Sequence, residues 1–254
     1  MKNFRILFLV ILALMLQACA TTGNDDNDTP ANDPGVSLHE KAEIAMRAGN
    51  YRSAIQYLEK LDSLYPFGPS SHKAQLSLIY SYYKIGDSAL ATAAADRFIR
   101  QNPNHPDVDY VYYMKGLVAF NDESGFIKEL LSASLSKRDA EAARTAFKNF
   151  ADLVRKHPKS RYSKDARQRM VFLRNLLAEH ELHVARYYME RQAYTGAANR
   201  AQYIVENYPK TPAIPEALVI MTTAYDLLGL PELKEKARRL LLLNYPEHAK
   251  QLDI

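Results

Sequence analysis

The residues that could do chemistry in this chain are few and dispersed. The tightest cluster is His180-Glu181-Leu182-His183, two imidazoles and a carboxylate within four positions. Neutral imidazole is a good ligand for zinc-like ions, and histidines three apart could still chelate one. The spacing is one residue short of the H-E-x-x-H arrangement, whose histidines sit four apart on one helical face. His180 also falls on an apolar stripe, where a hydrogen-bonded core histidine is the commoner case. The acidic run Asp25-Asp26-Asn27-Asp28 lacks the glycine and distal glutamate of a calcium loop and reads as solvated linker. Basic and aromatic residues interleave in KSRYSKDARQRM (159–170), a composition that can follow a phosphate backbone and stack bases. Asp165 interrupts it, and a solvated helix start is the simpler reading. No glycine-rich phosphate loop, nucleophile elbow or paired-cysteine zinc motif occurs. The expectation is a protein that is not an enzyme, with no cofactor, no metal and no nucleic-acid partner.

Cys19 is the only cysteine among the 254 residues, so no intrachain disulfide can form. It is preceded by Lys2 and Arg5, an apolar run over residues 6–16, and then Leu16-Gln17-Ala18. Eleven apolar residues are too few to span a bilayer, which takes about 20, but they suit the core of a signal peptide. Leu-Gln-Ala-Cys resembles the lipobox of bacterial lipoproteins. That resemblance implies a diacylglyceryl group on the Cys19 thiol, removal of residues 1–18 and acylation of the new amine. At about 0.8 kcal/mol per buried methylene, three acyl chains anchor a protein firmly. Ala20, where an aspartate favours inner-membrane retention in enterobacterial-type sorting, resembles an outer-membrane address. Loss of Lys2 and Arg5 takes Lys plus Arg from 33 to 31 against 29 Asp plus Glu, a formal +2. Nothing in that balance demands a polyanionic partner.

With no catalytic set to position, the elements must explain the rest. Residues 21–37 are polar, hold Gly and Pro, and show no periodicity, which predicts a flexible tether over 19–37. Beyond it, apolar runs end at Pro66, Pro103, Pro158, Pro209 and Pro246. Twelve, eight and five residues before the first four prolines stand Ala54, Leu58, Leu61; Ala91, Ala95, Phe98; Ala146, Phe150, Leu153; and Ala197, Ala201, Ile204. Steps of four and three keep such residues on one helical stripe, and a small residue lets two helices approach closely. Proline then ends the helix, because it lacks the N–H and biases its predecessor away from α. Before Pro246 the same offsets give Lys234, Arg238 and Leu241, which breaks the pattern at two positions. Seventeen residues before the prolines stand Gly49, Gly86 and Gly229, suited to a tight turn, but Glu141 and Gln192 in the middle units.

The proline spacings are 37, 55, 51 and 37. A period near 35 built from two helices resembles the tetratricopeptide repeat. The expected fold is all-α: a tetratricopeptide-type α-solenoid of about five helix pairs in a right-handed superhelix, because one pair cannot bury its apolar face alone. The extra residues of the 55-residue interval predict an irregular insertion over about 121–138. Those of the 51-residue interval predict one long helix over 163–191, with Met170, Leu173, Leu177, His180, Val184 and Tyr187 on its apolar stripe. This divides the chain into repeats 1–3 (38–160) and a bridging helix with repeats 4–5 (161–254).

Stacked helix pairs form a concave groove lined by their first helices. SLIYSYYKIG (77–86) and DYVYYMKGLVAF (109–120) each carry three tyrosines, some for the core and some for a peptide in the groove. Arg97 and Arg100, on a second helix, are candidates to anchor a carboxylate, or are simply solvated.

YPFGP (65–69), LIYSYYK (78–84), DRFIRQNPNHPDVDYVYYMKG (96–116), AARTAFKNFADLVRKHPKSRY (142–162) and VFLRNLLAEHELHVARYYMERQAYTGAANR (171–200), following a lipobox, resemble the BamD (ComL) family. The resemblance covers about residues 38–250 and is weakest in the last unit. It implies a lipid-anchored scaffold of the outer-membrane β-barrel assembly machinery. Its partners would be the POTRA domains of the barrel subunit BamA, other Bam lipoproteins, and unfolded outer-membrane proteins whose C-terminal strands enter an N-terminal groove. Tyr65, Phe67, Tyr80, Tyr83 and Arg97 lie at the matching groove motifs. Arg200 lies at the arginine where the barrel subunit docks, or else snorkels over its own helix. A lipoprotein adaptor for cell-wall or division machinery, built on the same repeats, is the alternative.

Overall fold

A computed structural model describes residues 34–121 and 137–250. Cys19, the leader, most of the tether and all but the ends of the expected insertion lie outside them. The described residues form eleven helices and no strand. Five pairs follow in order: α1 (Pro34–Arg47) and α2 (Tyr51–Leu64); α3 (Pro69–Lys84) and α4 (Ser88–Gln101); α5 (Val108–Asn121) and α6 (Lys137–Lys156); α7 (Ser163–Glu190) and α8 (Tyr194–Asn207); α9 (Ile214–Leu227) and α10 (Pro231–Asn244). A single turn, α11 (Pro246–Ala249), closes the series. α1 already begins at Pro34, inside the segment expected as tether up to residue 37; proline suits a helix start, where its missing N–H would have had no partner.

The proline offsets mark the packing line of the fold. All twelve residues at those offsets in the first four units are fully buried, and so is Leu241 in the fifth. Each second helix ends in one way. The residue before the proline donates its N–H to the carbonyl five back from it: Tyr65 to Leu61, Asn102 to Phe98, His157 to Leu153, Tyr208 to Ile204 and Tyr245 to Leu241, at 2.7–2.9 Å. The proline then forces the chain out of the helix. In unit five, Lys234 pairs with Asp226 and Arg238 with Glu235, while Ala237 restores the buried line.

The turns within pairs repeat as closely. Gly49, Gly86 and Gly229 have positive φ of 74°, 77° and 68°. Each donates to a carbonyl three back and its successor to one five back, the double bond of a Schellman end. Gln192 adopts the same turn at φ 58°, with bonds from Gln192 to Met189 and from Ala193 to Tyr188. A non-glycine residue bears a steric cost there. Asn50 and Asp87 then cap α2 and α4 by accepting from the N–H groups of Ser53 and Leu90. Glu141, the other non-glycine, lies inside α6, where no such turn exists.

Consecutive helices from α2 onward pack on each other, and first helices also meet directly, α3 on α5 and α7 on α9. The long helix expected over 163–191 is α7, but its buried stripe is displaced from the expected one. Leu173 and Leu177 are buried as expected; His180 and Val184 are half-buried and Tyr187 is exposed. Ala166, Ala178, Glu181, Leu182 and Ala185 complete the interior face. α7 is gripped by both α6 and α8, so its buried surface is broader than one alternating stripe.

Candidate functional site

The first-helix wall carries a row of tyrosines. Tyr80 of α3 meets Tyr51 edge-on at 5.9 Å between ring centroids, and Tyr83 at 6.4 Å. Tyr110 of α5 stands 5.8 Å from Tyr162, which stacks on Tyr113 at 4.8 Å and 15°. Burial raises the pKa of Tyr110 above its ordinary value, reinforced by Tyr162, Tyr80 and Tyr83; Tyr80 is raised by burial and by its bond with Tyr51. These phenols remain neutral, polar-tipped aromatic surfaces. Met46, Leu76, Ser77, Tyr80 and Tyr110 line a cavity of about 310 Å³, drawn from α1, α3 and α5. Tyr82, between Tyr80 and Tyr83 in sequence, points the other way: it is buried, and its hydroxyl donates to Glu59 at 2.6 Å. Of the three tyrosines in 80–83, two belong to the wall and one to the core.

Further along, the Tyr113 hydroxyl donates to Asp165 Oδ2 at 2.7 Å, and Arg169 Nε donates to the same oxygen at 2.6 Å. Burial alone raises the Asp165 carboxyl, but those two bonds outweigh it and leave the group below its ordinary value. Tyr113 is pushed up to about 12, first by burial and then by Asp165. Tyr110 and Tyr113 come from the second aromatic cluster, 109–120, which the sequence offered without dividing it between core and groove; Tyr162, outside both clusters, was missed.

The expected groove residues do not form one cluster. Tyr80 and Tyr83 do meet. Tyr65 and Phe67 lie in the turn before α3, at its opposite end, about 16 Å away along the axis at ~1.5 Å per residue. Phe67 is 86% exposed. Arg97 is also placed elsewhere. Its Nη2 is bound to Asp62 Oδ2 at 2.8 Å, bridging α4 to α2, and Asp62 Oδ1 accepts from Gln75 as well. Among the described contacts of Arg97 none is to Tyr65, Phe67, Tyr80 or Tyr83. A guanidinium already paired with a carboxylate is a poor free anchor for another. Arg100 is exposed.

Arg200 lies at the second feature of the molecule. Its Nη1 donates to Glu181 Oε2 at 2.9 Å, while Arg144 Nη2 donates to Oε1 at 3.3 Å. Arg144 comes from α6, Glu181 from α7 and Arg200 from α8. Glu181 is 2% exposed, whereas the arginine side chains are 40% and 46% exposed. Arg200 therefore does more than snorkel: it helps to neutralise a buried carboxylate. The partly buried His180 next to it is held below its ordinary pKa, first by burial. Among the described residues no three His, Cys, Asp or Glu side chains converge as a metal site, and no helix is long and apolar enough to cross a membrane. Sequence reasoning assigned the stripe to His180 and passed over Glu181, because a glutamate at a core position carries no apolar signal.

A family model described as YfiO, outer membrane lipoprotein, matches residues 31–240. The outer membrane protein assembly factor BamD of Neisseria meningitidis serogroup A is 42% identical over 98% of this chain and 96% of its own. BamD of Vibrio cholerae is 39% identical over 92% of this chain and 96% of its own. Among solved structures, a tetratricopeptide-repeat protein of Thermus thermophilus covers 87% of this chain and 100% of its own, at 14% identity and a TM-score of 0.37, too low to bear on the fold.

Proposed function

The chain belongs to the BamD family of outer membrane lipoproteins, and on that premise we propose that it is a non-enzymatic, lipid-anchored scaffold for assembly of outer-membrane β-barrel proteins. Cys19 carries the lipid and holds the chain to the periplasmic face of the outer membrane. The tyrosine wall receives C-terminal strands of unfolded outer-membrane proteins, and Arg200 marks the surface where POTRA domains of the barrel subunit BamA dock. Other lipoproteins of the complex bind elsewhere on the repeats.

The observation that carries this reading is the row Tyr80, Tyr83, Tyr110 and Tyr113 on the consecutive first helices α3 and α5, continued by Tyr162 just ahead of α7. Neutral tyrosines give a wide contact area at low conformational-entropy cost. They suit an extended segment with alternating aromatic side chains, and they demand no single sequence. Tyr65 and Phe67 offer a second aromatic contact at the far end of α3, so a client strand runs along that helix rather than plugging one pocket. Arg97 serves as a carboxylate anchor only by exchanging Asp62 for the incoming group.

Affinity purification of the full lipidated chain from detergent-solubilised membranes tests the proposal. Recovery of a β-barrel protein with POTRA domains is the expected result. Recovery of cell-wall or division enzymes alone would favour the adaptor reading instead. Cys19→Ala is expected to abolish lipid attachment, read by mass spectrometry; a lipidated variant would remove the anchor from the proposal.

A further inference from the structure

The lipid anchor proposed at Cys19 leaves open which part of the repeats meets the membrane, and the next step rests on that anchor. We infer that the turn between α6 and α7 binds the anionic headgroups of the membrane that carries the lipid, through Lys156, Lys159, Arg161, Lys164 and Arg167. Residues 155–167 hold six Lys and Arg against one acid, Asp165, in a chain whose formal net charge is only +4. All five named bases are exposed. Asp165 is already held by Tyr113 and Arg169, and Arg155, the sixth base, by Asp152. Lys156 donates to the Tyr112 hydroxyl and Arg161 to the Tyr162 hydroxyl, each at 2.6 Å, and Arg167 donates to the Pro158 carbonyl at 3.5 Å. Those acceptors are neutral. Among the described residues none of the five bases has a carboxylate within ion-pair distance, so their charge is left for an outside partner.

Topology puts this turn on the edge where the chain enters the repeats. The tight turn at Gly49 runs α2 back along α1, so the start of α1 lies with the end of α2 and the start of α3. From there the edge continues by direct contact. His72 of α3 stands 4.9 Å from His105 in the next turn. A cavity of about 570 Å³ then has His105 and Asp109 on one side and Lys156, His157 and Lys159 on the other, which leaves room for a headgroup. Residues 19–33 lead from the lipidated cysteine into α1, at most about 50 Å of fully extended chain. The nearby acids do not cancel the patch: Asp109 and Asp107 act on Arg161 only from beyond ion-pair distance, and Asp109 accepts from the N–H of Tyr110. A lysine is a hydrated point charge on a flexible stem. Several of them suit a fluid, diffusely negative surface better than one fixed carboxylate. The acyl chains already supply affinity, so the patch sets the orientation of the repeats on the membrane.

The test places the full lipidated chain in vesicles of phosphatidylcholine alone and of phosphatidylcholine mixed with phosphatidylglycerol. Amine acetylation, read residue by residue by mass spectrometry, reports how accessible each lysine is. Lys156, Lys159 and Lys164 are expected to react about fivefold more slowly on the mixed vesicles, while the exposed Lys236 of α10 reacts equally on both. High salt should restore the faster rate by screening. In the double variant Lys159→Glu with Arg167→Glu, Lys156 and Lys164 should react alike on both vesicles, with helical circular dichroism retained; if that variant does not fold, the parent chain decides alone. Equal rates for the parent on the two vesicles would overturn the headgroup contact and leave the anchor standing, since the anchor is read separately by flotation with the neutral vesicles. A chain that does not float with them would overturn both. Equal slowing by inorganic phosphate on neutral vesicles would assign the turn to free phosphate, and slowing that needs a co-purified protein but no phosphatidylglycerol would assign it to an acidic protein partner. Either result would overturn the membrane contact.

Discussion

The helices before residue 122 and those after residue 136 solve the same packing problem in different ways. Residues 42–118 bury two separate clusters, one around Leu58 and Leu78 and one around Ile79, Phe98 and Met114. From Ala140 to Ala249 one continuous cluster runs through the helices. α5 serves both: Val111, Met114 and Val118 belong to the first part, while Tyr113, Leu117 and Phe120 pack on the second. The polar groups differ as well. In the first part the first helices present tyrosines, and the ion pair Arg97–Asp62 ties second helix to second helix. In the second part, charge sits between first helices, as Arg186 with Glu216, and in the interior, as Glu181. A repeat can thus keep one packing line and specialise its wall unit by unit. Tyrosines make a tolerant surface, and paired guanidinium groups make a fixed one.

The largest expected effect comes from emptying the core on either side. Phe150→Ala should cost about 3–5 kcal/mol, because the ring is fully buried and packs against Tyr113, Phe120 and the backbone at Gly116. Phe98→Ala should fall at the low end of that range, since its neighbours His72 and His105 can close over a smaller cluster. Urea unfolding of both variants checks the order; a greater loss in Phe98→Ala would refute the contrast between a split and a continuous core.

Next in size is the double replacement Arg144→Ala with Arg200→Ala. It strands a buried carboxylate, for which about 3–5 kcal/mol is the expected penalty. Each single variant should cost less than half of that, since one guanidinium remains. Additive single effects in a double-mutant cycle would show that the two arginines do not share Glu181.

A smaller effect separates the parts by pH. Arg186 binds both oxygens of Glu216, at 2.6 and 2.7 Å, and those bonds hold the Glu216 carboxyl below its ordinary value of 4.5. A depressed carboxyl contributes stability that is present above pH 4.5 and lost as pH falls through the folded value. Burial likewise depresses His180 below 6.5; it is neutral in the fold and protonates more readily when unfolded, so stability begins to decline below pH 6.5. The melting temperature should fall from there and more steeply below 4.5, and Glu216→Gln should flatten the second step. An unchanged acid limb in that variant would remove the bridge from the stability of this region.

The smallest expected change is a gain. Gln192→Gly should raise stability by up to about 1 kcal/mol, because it relieves a left-handed residue at the one described turn of this kind that lacks glycine. A thermal melt with no gain would mean that Gln192 is held there without strain.

The repeat was legible because its signals are local. A small or apolar residue at helical spacing ahead of a proline specifies both a buried face and a stop, and Ala54, Ala91, Ala146 and Ala197 meet that description without any knowledge of their neighbours. The turn at Gln192 was hidden because glycine, its usual mark, is absent. The partners of Arg97 and Arg200 were hidden for another reason. Asp62 and Glu181 lie far from them in sequence, and only the stacking of helices brings the charges together. The tyrosines were visible as clusters, but their division between wall and core follows from rotation about each helix, which a three-in-four run of one residue type does not reveal.

A photo-crosslinking residue placed at Tyr80 or Tyr110 in living cells tests the central claim most directly. Capture of unfolded outer-membrane β-barrel proteins through their C-terminal segments, at both positions, is the result expected of a tyrosine wall that receives clients. Capture of cell-wall enzymes alone, or of no client at either position, would contradict it.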